Sequence, residues 1–193
     1  MRGRTLGWGA AVLALAMAPA LASVVVGLSI EDQARLAKLV VVGEVVTLRG
    51  LDHPDLGIET AVTLRVHEAL KGQAATETEI VFHTRQGRVG EVESQVPGEA
   101  SFHVGQKALV FIEEVDGRLY NLGLSMGVWS VLERDGAVSG YTRAIRDGLE
   151  VVGEEEVELG PIAYQDMLAR VARAVKHPEL ESPALRAIRA AGR

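Results

Sequence analysis

The sequence predicts a mainly β protein: a closed or nearly closed antiparallel barrel of about six or seven strands, flanked by a short amino-terminal helix and a carboxy-terminal amphipathic helix. Three observations predict it. In residues 60–72, Val62, Leu64 and Val66 fall on one side of an extended chain, and Thr63, Arg65 and His67 fall on the other. That period of two marks a half-buried strand. Asp116-Gly117 and Asp135-Gly136 each separate two β-prone runs, as tight hairpins do. Helical spacing becomes prominent only late, at Tyr164, Leu168, Val171 and Val175, and Pro178 stops it.

Taken in order, the chain opens with Arg2 and Arg4, an apolar segment over 6–18, and Ala20-Leu21-Ala22. These are the three parts of a secretory signal peptide, so export with cleavage after Ala22 is expected. The organisation then expected is a 1–22 leader, a barrel domain over 23–177, and a frayed basic tail over 178–193. With no cysteine in the chain, disulfides, thiolate metal sites and cysteine nucleophiles are excluded. The formal charge is −6, and losing Arg2 and Arg4 makes it more negative, a poor balance for neutralising nucleic-acid phosphates. After cleavage no membrane contact is expected.

Ser29 precedes a short helix reaching toward Lys38, with Glu31 and Asp32 at its positive end. Residues 39–48 read as a strand in which Gly43 marks a bulge or a close backbone approach. Residues 52–55 are turn chemistry before the 60–72 strand. Further strands are expected at 79–84, 107–115, 118–124, 128–134 and 137–142. Between them, residues 85–90 are too polar and glycine-rich for a regular element, and 92–96 read as an exposed edge strand. Val62, Leu64, Val66, Leu109 and Phe111 are expected in one common core.

Gly123-Leu124-Ser125-Met126-Gly127 matches the G-x-S-x-G pattern of a hydrolase nucleophile elbow, which needs a helix after the serine. A strand follows instead, so Ser125 reads as a turn residue and a serine hydrolase is the secondary reading. His67-Glu68 lacks the second histidine of a zinc helix, because Lys71 stands in its place. His83 and His103 bracket the 85–105 excursion, but two imidazoles without a third ligand make no firm metal site. No catalytic residue, metal site or cofactor is therefore assigned. Aromatic residues suited to stacking on sugars are few. A carboxylate run at Glu154-Glu155-Glu156 reads as solvated surface.

Several segments carry a family resemblance together. These are Leu39-Val-Val-Val-Gly-Glu-Val-Val46, residues 60–72 ending in Leu70-Lys71-Gly72, Val96-Pro97-Gly98, Phe102-His-Val-Gly105, Leu109-Val-Phe-Ile112 and residues 123–127. In this order they resemble a group of uncharacterised exported bacterial proteins, some associated with matrixin-like metalloproteases. The strand ending in Leu-Lys-Gly is also similar to the OB-like barrel of netrin modules and tissue metalloprotease inhibitors. The resemblance implies an OB-like barrel and an exported location. It transfers no functional residue, and Ser23 lacks the thiolate with which those inhibitors hold zinc.

The function expected is a non-enzymatic, exported protein-binding module, a partner or modulator of a secreted metalloprotease, with a sugar-binding OB-like domain as a further alternative. Its contact loop is the long 85–105 excursion. Arg85 and Arg88 offer donors to carboxylates, and Gly87, Gly90, Gly98 and Gly105 leave the backbone approachable. The competing reading makes the same segment an edge hairpin that covers one mouth of the barrel.

Overall fold

A computed structural model describes residues 23–55, 57–143, 145–153 and 157–191. The leader read at 1–22 and the carboxylate run at 154–156 lie outside the described residues.

Twelve strands and three α-helices follow in order among the described residues. They are β1 (Ser23–Val26), α1 (Ile30–Leu36), β2 (Leu39–His53), β3 (Gly57–Lys71), β4 (Glu79–Thr84), β5 (Gly87–Val89), β6 (Val92–Ser94), β7 (Lys107–Val115) and β8 (Arg118–Asn121). A 3-10 turn, Leu124–Gly127, leads to β9 (Val128–Arg134), β10 (Ala137–Thr142), β11 (Leu149–Val152), β12 (Ile162–Ala163), α2 (Tyr164–Lys176) and α3 (Pro183–Ala191). The barrel predicted from the sequence is present. Eight strands form one sheet in the order β12-β10-β9-β7-β2-β3-β4-β8, and β7 also pairs with β8. Five strands thus curl into an OB-like ring, and β9, β10 and β12 extend it on one side. The ring is only loosely closed, because β4 meets β8 through a single parallel pair, His83 with Tyr120.

Bulges make the curvature. The long β2–β3 hairpin slips register at Val40/Val41, Val42/Gly43 and Val45/Thr47, and each slip bends the bulged strand. At Gly43 a Cβ would lie 2.4 Å from the Arg65 carbonyl oxygen, so only glycine lets the two backbones approach. The hairpins at Asp116-Gly117 and Asp135-Gly136 place both turn residues at positive φ, 49° and 77° in the first, 53° and 77° in the second. That twist matches the flanking strands.

Two cores lie on opposite faces of β2 and β7. Val41, Val45, Val62, Leu64, Val66, Phe82, Val110 and Ile112 fill the ring. Val40, Val42, Leu109, Phe111, Trp129 and Tyr141 instead face α1 and α2, where Ile30, Ala34, Met167 and Val171 meet them. Leu109 and Phe111 therefore do not share a core with Leu64, contrary to the sequence expectation. Alternation still rules on β7, but both of its faces are covered, so parity alone cannot say which face is which.

Ser29 caps α1 as expected, accepting the Asp32 amide at 3.1 Å. The other end of α1 explains Leu70-Lys71-Gly72. The Lys71 ammonium donates to the carbonyl oxygens of Ala34, Arg35 and Ala37 at 2.6, 3.2 and 2.5 Å, satisfying the helix's terminal acceptors.

On α2 the buried face is Met167, Val171 and Ala174. Val175 is 47% exposed, so the helix is rotated from the face read in the sequence. Small Ala174 lets it pack against α1 and the sheet at once. The tail expected to fray holds α3, whose Leu185 is fully buried.

Arg170 clamps α2 to α1, donating to both Glu31 carboxylate oxygens at 2.8 and 2.7 Å. Burial works against the charged Glu31, but the Arg170 hydrogen bonds outweigh it and hold its carboxyl below the ordinary 4.5. A depressed carboxyl stabilises the fold fully above its unfolded value, and that contribution fades as pH falls through the lower folded value. Acidification below about pH 4.5 is therefore expected to lower the melting temperature, and Glu31→Gln to flatten that dependence. Equal acid slopes for the two proteins would contradict this role.

Candidate protein-contact cleft

The 85–105 excursion is more ordered than its composition suggested. Residues 87–89 and 92–94 pair as a hairpin, Gly87 with Ser94, Arg88 with Glu93 and Val89 with Val92. The segment expected to be irregular is thus partly strand, because it finds a partner only five residues on. The hairpin lies against the barrel where a Cβ at Gly50 would sit 1.9 Å from the Arg88 carbonyl oxygen.

Between this hairpin, residues 95–102 and the 145–148 loop opens a cleft of about 1030 Å³. Gln86, Arg88, Gln95, Phe102, Arg146 and Asp147 are among its lining residues. Gly98 fixes the junction of floor and wall. Its φ is 78°, a Cβ there would lie 2.6 Å from Leu149 Cβ, and its amide donates to the Asp147 carbonyl oxygen at 3.1 Å. Its own carbonyl accepts the Ser125 amide at 3.1 Å, which brings the Ser125 turn against the excursion.

The six residues singled out in the sequence divide into two sets. Gly87, Arg88 and Gly98 line the cleft. Arg88 pairs with Glu93 across the hairpin. Arg85 turns inward. Its guanidinium lies 4.5 Å over the Tyr120 ring and 3.4 Å from Glu113, so it helps to hold the excursion to the barrel. Gly90 forms the exposed hairpin tip, at φ 59°. Gly105 begins the return to the barrel, its amide donating to the Val45 carbonyl oxygen at 2.8 Å.

Sequence reasoning missed the residue that organises the floor. Glu99 is 2% exposed. Its carboxylate accepts the amides of Arg85 and Ala100 at 3.0 and 2.8 Å and the Asn121 side-chain amide at 2.7 Å. On β3, buried Glu59 accepts the Tyr120 hydroxyl at 2.8 Å and the Arg118 guanidinium. Burial, reinforced by that bond, raises the Tyr120 phenol above its usual value. Glu59 stands at the solvent parity of Thr63, Arg65 and His67, and its partners are 59 and 61 residues away, so no local signal marks it.

Ser125 is 3% exposed, and its hydroxyl accepts the Arg146 amide at 3.3 Å. It lies in a 3-10 turn followed by a strand, the arrangement expected of a structural turn residue. His83 lies on β4, where its Nδ1 meets the Leu119 carbonyl oxygen at 3.1 Å. The backbone amide of His103 donates to Gln106 at 3.1 Å. Among the described residues, no three histidine or carboxylate side chains gather as a metal site. No helix there is long and apolar enough to cross a membrane. Neither a protein-family model nor a curated protein sequence matches the chain.

Proposed function

We propose that this chain is an exported, non-enzymatic protein-binding module whose recognition surface is the cleft beside the 85–105 excursion. The observation that carries the reading is the cleft itself. It is open, large enough for several residues of another chain, and lined by polar and apolar groups together. Val89 and Val92 stand exposed on the hairpin beside it, Val92 by 63%. Exposed apolar side chains rimmed by charge suit a protein partner. By the family resemblance, a secreted metalloprotease is the first partner to test.

The test is affinity capture from an exported-protein fraction. The bait is the protein recovered after export, its amino terminus determined by intact mass with Ser23 as the expected start, beside a triple variant Val89→Ser/Val92→Ser/Arg146→Glu. All three positions are exposed, so folding should survive. Val175→Ser, on the exposed side of α2, serves as the control. A partner held by the parent and the control, and lost roughly tenfold by the triple variant, is the expected result. Equal capture by all three baits overturns the assignment of the surface.

A further inference from the structure

We infer that the cleft takes an extended peptide segment of its partner as an added strand along β6. This rests on the binding-module reading and names the form its partner takes.

The hairpin geometry carries the inference. A two-residue loop, Gly90-Glu91, joins β5 and β6, so Val89 with Val92 and Gly87 with Ser94 are the pairs that exchange hydrogen bonds. Arg88 and Glu93 form the alternate pair, and their peptide groups point away from the ribbon. Arg88 bears this out, because its carbonyl oxygen faces Gly50 on β2. The outer edge of β5 is therefore covered by the barrel. The outer edge of β6 faces the cleft, and there the N–H and C=O of Glu93, and of Gln95 two residues on, meet no backbone partner among the described residues. Pro97 ends this edge.

Two donor–acceptor pairs about 7 Å apart match the repeat of another β-strand. A sugar does not offer that repeat along a straight line. Arg146 and Asp147 line the opposite wall side by side, both exposed, so that wall offers an incoming segment charges of both signs. On the β6 side, Glu93 is already paired with Arg88.

The probes are a fluorescein-labelled heptapeptide of alternating valine and serine and the same peptide N-methylated at alternate amides. Two methylated forms, one for each parity, cover both orientations of the strand. Fluorescence anisotropy is measured with the secreted protein and with Gln95→Pro, after a melting curve confirms that the variant folds. Proline at an outward-facing edge position leaves the hairpin's own bonds intact.

The unmethylated peptide is expected to bind, and one methylated parity and Gln95→Pro should each weaken it roughly tenfold. Unchanged binding by both methylated forms overturns strand addition, whatever the variant does. Absence of binding by every peptide also overturns it, and capture that still depends on the Val89/Val92/Arg146 surface would then leave the binding-module reading standing. Peptide binding without protein capture would do the reverse.

Discussion

Leu64→Asp is expected to abolish folding, while Arg65→Asp, one residue away, leaves a folded protein. Leu64 is fully buried inside the ring among Val62, Val66, Phe82 and Val110. Losing its apolar burial costs about 1.5–3 kcal/mol, and an unpaired carboxylate there adds several kcal/mol more. The sum approaches the roughly 5–15 kcal/mol that stabilises an ordinary domain. Arg65 points outward, 3.5 Å from Glu79, with both side chains about half exposed. Losing such a pair costs about 1 kcal/mol at most, and the new carboxylate beside Glu79 adds a small repulsion. Soluble yield and far-ultraviolet circular dichroism of the two variants decide the matter. Equal tolerance of both would mean that β3 presents the other face to the ring.

The second large effect is expected at Glu99. Glu99→Ala leaves the Arg85 and Ala100 amides and the Asn121 side chain without their acceptor in a buried site. Hydrogen bonds to a charged group are the costlier ones to lose, and about 3 kcal/mol of stability should go. Glu99→Gln keeps one acceptor but turns an NH2 group toward donors, so it should recover only part of that loss. Urea denaturation measures both. A midpoint for Glu99→Ala within error of the parent would show that the cleft floor is held by something other than this carboxylate.

The contrast between these two residues also describes what could be read from the sequence. Leu64 was legible because alternation along β3 is a local property. The same local logic gave the bounds of β4, β7, β9 and β10, with Asp-Gly turns that the sequence displays ending β7 and β9 and opening β10. It also placed the bulge at Gly43 and the Ser29 cap. Local logic fails where a second layer covers the face that would otherwise meet water. Leu109 and Phe111 belong to the helix-facing core for that reason, and Glu59 is buried at a solvent parity. The register of α2 depends on α1 and the sheet, neither of which its own periodicity can sense. β1 pairs in parallel with β11 across more than a hundred residues of chain, and β1 and β11 are too short to announce themselves. At the cleft, Arg88, Gly87 and Gly98 were visible as loop chemistry. Glu99, Asn121 and Arg146 were not, since what matters there is which distant groups they meet.

The wall between the two cores has a consequence for how the molecule comes apart. Val40 and Val42 face the helices while Val41 and Val45 face the ring, and β7 divides its side chains in the same way. Each of these strands is thus a member of both halves. Emptying either core exposes one face of β2 and β7 and removes the backing on which the other core is packed. The helical half and the ring therefore have no seam along which to part, and the amides at the centre of β2 and β7 become accessible to solvent only when the whole assembly opens.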